Sequence, residues 1–333
     1  MKRIRLGGAL AAMMALGAGC ALSPQTAAVS SEHPTAGHAV QVHEAVEISA
    51  SHPVEEGAIP DELTPKAREQ LAASQRAVAP LGTPEAARAA GYRPMFGQLP
   101  TMGEHWVNME IFERGGFDVE RPSTLIFSPV EGKPTLVGVA YGFRIPTGAP
   151  MPEGFDGDAD RWHAHPGLAD LPGKQLVMVH AWFVPAPDGP FANHNPWLPY
   201  MAAGLQPPPA SALADTRENR SARTLALALW QSTGELPFGG WIQRRGGAER
   251  RRQVEADRAA IRTLVPELRA AQAQQDAAEF ARLAERAVAH WERIEAAYRS
   301  VGGPFVNQIL DEALAEIIGE SHGAAAGHAG HSH

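Results

Sequence analysis

The hydrophobic pattern changes twice along the chain. Between residues 92 and 205, short β-type runs alternate with prolines and glycines, and the clearest runs are STLIFSP, TLVGVAYGF and QLVMVHAWFVP. TLVGVAYGF has the alternation of a half-buried strand, and PVEGKP, between the first two runs, has the residues of a hairpin turn. We therefore expect an antiparallel sheet in this region, which could be barrel-like.

Helical patterns flank this region on both sides. On the N-terminal side, Pro65 stands at a helix start, Gly82 marks the helix end, and Thr83 begins a second short helix. On the C-terminal side, Ala, Leu, Arg and Glu dominate four segments: 212–232, 248–274, 276–299 and 304–318. Asp276 caps the third segment, and Pro266 should kink or split the second. The predicted fold class is α+β, an antiparallel sheet unit flanked by N-terminal helices and a C-terminal helical layer.

The first twenty residues predict export. Lys2, Arg3 and Arg5 precede an apolar run that is too short to span a membrane, which is the pattern of a secretory signal peptide. The run ends at Cys20, and this end resembles the lipobox of bacterial lipoproteins, in which the cysteine is lipidated. We expect a lipoprotein on the periplasmic face of a bacterial membrane. Because Leu16 lies one place further from the cysteine than usual, a soluble periplasmic or secreted protein is the alternative.

The sequence predicts five segments, and the first is the signal peptide of residues 1–20. Residues 21–63 are acidic and poor in large apolar side chains, which predicts a disordered tether. Residues 64–210 form the sheet domain with its N-terminal helices, and residues 211–320 form a helical region that packs on it. Residues 321–333 carry four histidines among Gly and Ala, which predicts a flexible tail that catches metal ions or is harmless low complexity.

Charge and composition exclude several functions. The formal net charge of −8 argues against nucleic acid as a partner. The sequence has no Gly-rich phosphate loop, and its one cysteine is Cys20, so the folded part has neither a thiol nucleophile nor a thiolate ligand for zinc. The arginine run QRRGGAERRRQ is typical of a solvated loop and helix start, with contact to anionic lipid headgroups as the alternative.

Histidines are the main candidates for chemistry. Of the 14 histidines, five fall in the sheet region: His105, His163, His165, His180 and His194. Side chains two apart on an extended segment face the same side, so His163 and His165 of RWHAHPGL could bind one metal ion. The alternative for this segment is a polar surface loop.

Two further histidines strengthen the metal hypothesis. His180 interrupts an apolar strand, where a buried imidazole needs either a metal ion or a backbone group as its partner. His105 lies beside Glu104 and near Glu110, and such a carboxylate could be an additional ligand or a catalytic acid or base. We predict a mononuclear site for a divalent transition metal, which would be zinc, copper or iron. The predicted ligands are His105, His163, His165 and His180, and the predicted catalytic residues are Glu104 and Glu110.

Several stretches resemble a group of exported bacterial proteins of uncharacterised function. They are AARAAGY, TMGEHWVN, RPSTLIFSP with LVGVAYGF, and MVHAWF with GPFANHNP, and they cover residues 85–200. The group has the motifs AAGY, MGxH(W/Y)VN, LvGVeY and HxW followed by GxFAxxNP. The resemblance implies matching roles, of unknown chemistry, for His105, Asn108, His180, Asn195 and Pro196. Ala140 stands where the group commonly has an acid, so no ligand is expected at that position.

The segment WHAHPGLAD is also similar to the first motif of cupins. Asp170 stands there in place of the usual glutamate. The second cupin motif, in which a PxG turn precedes the histidine, is missing around His180. A cupin-like fold is therefore the minor interpretation.

Three functions fit these patterns. The first is an exported, lipid-anchored metal-binding protein that acts as a metal-dependent enzyme on an unknown substrate. The second is a lipoprotein without catalysis that binds or traffics copper, zinc or nickel with the help of its tail. The third is a structural or interaction lipoprotein whose histidines bind no metal. The first two expect a metal ion as partner, and all three expect a membrane contact through lipidated Cys20.

Overall fold

The computed structural model describes residues 63–165, 171–209, 220–234, 236 and 239–318. The helices in these ranges are α1 (Pro65–Val78), α2 (Pro84–Ala89), α3 (Met109–Arg114), α4 (Leu198–Ala202), α5 (Arg220–Ser232), α6 (Gly239–Ala273) and α7 (Ala277–Ile318). The strands are β1 (Arg93–Leu99), β2 (Gly103–Val107), β3 (Thr124–Val130), β4 (Lys133–Pro146), β5 (His163–Ala164) and β6 (Lys174–Trp182). The predicted signal peptide, Cys20, the tether and the histidine-rich tail lie outside the described residues. In the described part, no helix is long and apolar enough to cross a membrane.

The six strands form one antiparallel sheet in the order β1-β2-β3-β4-β6-β5. The α+β class is therefore confirmed. The sheet is open, because the edge strands β1 and β5 do not pair with each other, and the barrel-like form is not adopted.

The hairpin between β3 and β4 has the predicted turn. Val130 pairs with Lys133, which leaves Glu131 and Gly132 as the two turn residues. Both have positive φ angles, 48° and 79°. Two such residues make a type I′ turn, whose twist matches that of the flanking strands.

The two faces of the sheet bury different sets of side chains. One face carries Leu125, Phe127, Val139 and Tyr141, which pack with α1 in one apolar core. The Tyr141 hydroxyl lies 2.7 Å from the Ser74 hydroxyl of α1, so a buried hydrogen bond joins helix and sheet. On the other face, a smaller core of Ile126, Ala140, Met178 and Trp182 packs against Leu198 of α4. Strand alternation separates the two sets, because successive side chains point to opposite faces.

Helices α5, α6 and α7 form a second apolar layer. Its core includes Leu227 of α5, Leu268 of α6 and Trp291 of α7, which are buried side chains at helical spacing. The layer is tied to the sheet by a hydrogen bond of 3.2 Å from the indole Nε1 of Trp230 to the carbonyl of Gln98 at the end of β1. All described residues belong to one compact unit.

The helix starts agree with the predicted signals, but the predicted interruptions within the C-terminal helices do not. The side chains of Thr83 and Asp276 accept hydrogen bonds from the first turns of α2 and α7, as predicted, and Thr64 caps α1 in the same way just before Pro65. Pro266 does not split α6. The helix keeps helical backbone angles there and leaves them at Gly247, where φ is 70° and ψ is −179°. The predicted segments 276–299 and 304–318 form the single helix α7.

Burial explains why α6 continues through Pro266. Leu264, Val265 and Leu268 around this proline are all buried in the helical core. Their apolar contacts offset the backbone hydrogen bond that proline cannot donate, since a buried side chain of this size contributes about 1.5–3 kcal/mol.

A buried arginine holds the C-terminal end of α5. Arg258 of α6 is 1% exposed and donates hydrogen bonds to the carbonyls of Gln231, Thr233 and Gly234. Carbonyls in the last turn of a helix have no partner within the helix, so this guanidinium supplies the missing donors. The contact fixes the helix end that precedes the turn at Thr233 and Gly234.

We expect Arg258→Ala to lower the free energy of unfolding by about 3 kcal/mol, because it leaves buried carbonyls without donors. Urea unfolding followed by circular dichroism measures this loss. Arg262→Ala, one turn further along the same helix and exposed, is the matched control. It should change stability by less than about 0.5 kcal/mol. Equal effects of the two variants would contradict a capping role for Arg258.

Candidate metal centre

Two of the predicted ligands meet across the sheet. His105 lies on β2 and His180 on β6, with β3 and β4 between them. Their Nε2 atoms are 3.2 Å apart, and their ring centroids are 5.4 Å apart. His180 is fully buried and His105 is 7% exposed. The structure thus joins two imidazoles that are 75 residues apart in sequence.

Of the two strands between His105 and His180, β3 places Ile126 on this face, whereas β4 carries only small side chains there. On β4, Ala140 pairs with His180, and alternation places Gly138 and Gly142 on the same face. A Cβ atom at Gly138 would lie 2.7 Å from the Ala181 carbonyl oxygen, and one at Gly142 would lie 2.9 Å from the Met178 methyl. Larger residues at these two positions would force the neighbouring strand or side chain to move. The Gly-Ala-Gly column of β4 therefore makes room for the Met178 and Trp182 side chains of β6, which stand on either side of His180.

The pair of RWHAHPGL lies beside this contact. His163 opens the short edge strand β5 and pairs with Met178 of β6. Its ring centroid is 5.2 Å from that of His180 and 4.7 Å from that of His165. The structure therefore brings all four predicted ligands into one cluster, with His163 and His165 on its half-buried side at the sheet edge.

A fifth histidine joins the cluster from the loop after β6. His194 is 7% exposed, and its Nδ1 lies 2.7 Å from the hydroxyl of Thr101. It was one of the five histidines of the sheet region but not one of the predicted ligands. The available sequence signal was its place in GPFANHNP, although sequence spacing does not bring this loop to Thr101. We name these five side chains, His105, His163, His165, His180 and His194, the histidine cluster.

Hydrogen bonds select one tautomer for three of these rings. Nδ1 of His180 lies 2.8 Å from the carbonyl of Asn193, and Nδ1 of His163 lies 3.0 Å from the carbonyl of Arg161. A carbonyl only accepts, so each Nδ1 donates a hydrogen and each Nε2 keeps its lone pair.

The hydroxyl of Thr101 selects the same tautomer for His194. This hydroxyl also donates to the carbonyl of Pro100 at 2.7 Å, and it carries one hydrogen. It therefore accepts from Nδ1 of His194. Nε2 therefore keeps a lone pair in His163, His180 and His194, and in His180 this lone pair accepts a hydrogen bond from Nε2 of His105.

Burial keeps the cluster neutral. It lowers the pKa of His105 to about 4, although the backbone of Gly103 acts in the opposite direction. Burial lowers the pKa of His165 and of His194 to about 3. The pKa of His163 is lowered, and that of His180 lies well below its usual range, again because of burial. Repulsion between the rings adds to the effect at His105, His165, His180 and His194. Near neutral pH all five rings are uncharged, which is the form that binds metal ions.

Two ring nitrogens of the cluster are buried without a hydrogen-bond partner. They are Nδ1 of His105 and Nε2 of His165. His180 Nε2 accepts from His105 Nε2, and this leaves Nδ1 of His105 as a bare lone pair. In the described ranges, however, no three His, Cys, Asp or Glu side chains already stand in an arrangement that could hold a metal ion. Two of the imidazoles are positioned, and a third nitrogen would have to come from the movement of a neighbouring ring.

The predicted catalytic carboxylates do not join the cluster. Glu104 points to the opposite face of β2 and accepts a hydrogen bond of 2.9 Å from the indole of Trp106. Glu110 lies in the first turn of α3, where its exposed carboxylate pairs with Arg114 at 2.8 Å. Asp170 lies outside the described residues. The positions that match the exported bacterial proteins do not all lie in the cluster either. Asn108 caps α3, and Asn195 donates a hydrogen bond to the carbonyl of Pro185.

The lowered pKa values predict a steep dependence of stability on pH for the metal-free protein. The unfolded chain, with histidine pKa values near 6.5, binds protons that the folded cluster rejects. Stability should therefore be complete above about pH 6.5 and should fall as the pH drops toward the folded values near 4 and 3. Melting temperatures measured from about pH 7.5 to about pH 4.5 follow this loss. His165→Asn with His194→Asn should flatten the curve, and an unchanged slope would contradict buried neutral rings.

The chain was compared with models of protein families, with curated proteins and with solved structures. No family model, no curated protein and no solved structure matches it. The resemblance to exported bacterial proteins therefore stays a prediction.

Proposed function

We propose that this chain is an exported, lipid-anchored metal-binding protein with a mononuclear site in the histidine cluster. The contact between Nε2 of His105 and Nε2 of His180 carries the proposal. Two nitrogens bound to a tetrahedral zinc ion at 2.0–2.1 Å stand about 3.3–3.4 Å apart. The observed separation is 3.2 Å, so the two atoms already have nearly the spacing that one ion would require.

The surrounding hydrogen bonds support the same assignment. Metal-bound histidines usually donate their second nitrogen to a carbonyl or another oxygen, which fixes the ring and raises its basicity. His180, His163 and His194 have this partner on Nδ1. A third nitrogen comes from rotation of one of the neighbouring rings, and His163 lies 5.2 Å from His180 between ring centroids.

An ion would also resolve the unpaired nitrogen of His105. With both Nε2 atoms on a metal, the hydrogen of His105 moves to Nδ1, and the backbone of Gly103 lies close enough to favour the protonated ring. The donor set is all imidazole, which suits zinc, copper and iron. When bound, such an ion supplies a Lewis acid, while the chain holds it away from bulk water. Export and lipidation rest on the signal pattern and Cys20 of the sequence.

We expect the His105→Gln, His180→Gln double variant to lose about one equivalent of metal relative to the parent, because the two positioned nitrogens are gone. Mass spectrometry of full-length protein, purified without a metal-affinity step, measures the content. The eight histidines of the predicted tether and tail are present in both proteins, so the difference reports the cluster alone. His290→Gln, on α7 and outside the cluster, is the control and should keep the ion. Equal metal content in all three proteins would refute the proposal.

The placement of His194 and Glu104 gives a second expectation. His194→Gln should weaken zinc binding about tenfold or more, because His194 adds a free Nε2 to the cluster. Glu104→Gln should leave the Kd unchanged, since this carboxylate faces the other side of β2. Competition with a chromophoric chelator measures both values. The reverse pattern would assign the ligand role to Glu104 instead.

A further inference from the structure

The histidine cluster offers a metal ion only neutral donors from the described part of the chain. The ionisable groups close enough to act on its rings are other histidines of the same cluster. Glu104 is turned to the opposite face and is hydrogen-bonded to Trp106. Imidazoles bind an ion without cancelling its charge, so a divalent ion would keep two positive charges at a buried place.

The strand β4, which lies beside His180 on the same face of the sheet, also provides no charged side chain there. Ala140 pairs with His180, and its methyl group lies on the same face of the sheet. Its neighbours on that face of β4 are Gly138 and Gly142, which have no side chain. These residues of β4 therefore cannot balance the charge of the ion. A buried uncompensated charge is unfavourable by several kcal/mol.

We propose that the metal ion takes a small external anion as a further ligand, and that small anions, including carboxylates, are the class of molecule that this site binds. The proposal rests on the metal site argued above. An anion would enter on the side of His163 and His165, the half-buried members of the cluster at the sheet edge. It would cancel part of the charge that the neutral ligands leave.

The substitution of Ala140 distinguishes this proposal from simple metal binding. Ala140→Asp places a carboxylate of the chain beside the ion, where it should replace the external anion. Ala140→Asn has nearly the same size and shape but no charge, so it controls for crowding. The probe is azide, added to the full-length protein loaded with Co²⁺, whose visible absorption responds to each ligand.

We expect azide to change the Co²⁺ spectrum of the parent in a saturable way. In Ala140→Asp, azide should bind about tenfold or more weakly with Co²⁺ retained, whereas Ala140→Asn should bind azide within about threefold of the parent. A spectrum of the parent that azide does not change would overturn the anion site while leaving the metal site standing. Failure to bind Co²⁺ at all would instead overturn the metal site itself. Equal weakening in the Asp and Asn variants would overturn the charge argument.

Asp170 provides a second measurement that does not depend on how Ala140→Asp folds. If the chain already supplies a carboxylate from this residue, Asp170→Asn should bind azide about tenfold more tightly than the parent. That result would overturn the proposal, because the anion would then be internal. An unchanged azide affinity supports an external anion.

Discussion

Two imidazoles on β2 and β6 can touch only if the sheet curves. Neighbouring strands lie about 4.8 Å apart, so strands separated by two others are about 14 Å apart in a flat sheet. Side chains of a flat sheet stand roughly perpendicular to it and would not approach one another across that width. The register shift between Ile126 and Phe127, where β3 meets β4, is the kind of irregularity that bends and twists a sheet. With the Gly-Ala-Gly column of β4 beneath, the curved face closes over His105 and His180.

The rest of the cluster depends on three acceptors that loops bring to the same face. The carbonyls of Asn193 and Arg161 and the hydroxyl of Thr101 each take one Nδ1 hydrogen. These contacts satisfy Nδ1 of each ring and leave Nε2 with its lone pair. Because burial penalises the protonated form, the rings stay neutral and available as ligands. The loops therefore determine which nitrogen of His163, His180 and His194 carries the hydrogen.

The helical layer contacts the β1–β2 turn, whose Thr101 is hydrogen-bonded to His194 of the cluster. A shallow cleft lies between α4, α5 and the β1–β2 turn, and Thr101, Gly103 and Trp230 are among the residues that line it. Trp230 also holds the carbonyl of Gln98, three residues before Thr101. The position of α5, which Arg258 fixes at its C-terminal end, is thus coupled to the turn that orients His194. The helices support the site although they contribute no histidine to it.

Local patterns predicted much of this architecture. The alternation in TLVGVAYGF, the Glu-Gly turn after Val130 and the caps at Thr83 and Asp276 are decided by neighbouring residues, so one sequence was enough to identify a strand, a hairpin turn and two helix starts. The prediction that this strand is half-buried was wrong, because residues 137–143 are buried on both faces of the sheet. The same alternation separates Glu104 from His105, since adjacent residues of a strand face opposite sides. Proximity in sequence was therefore a poor guide to a catalytic role for Glu104.

The sequence by itself determined the α+β class, the strands β3, β4 and β6, the helical segments on both sides of the sheet, and four of the five histidines that the structure brings together. Tertiary structure decided that the sheet stays open, that α6 runs through Pro266 and breaks at Gly247, and that His194 joins the cluster. These outcomes depend on contacts between residues far apart in the chain, such as the 93 positions between Thr101 and His194. No short-range pattern encodes them, because their stability comes from burial and pairing that exist only once the strands, loops and helices have assembled.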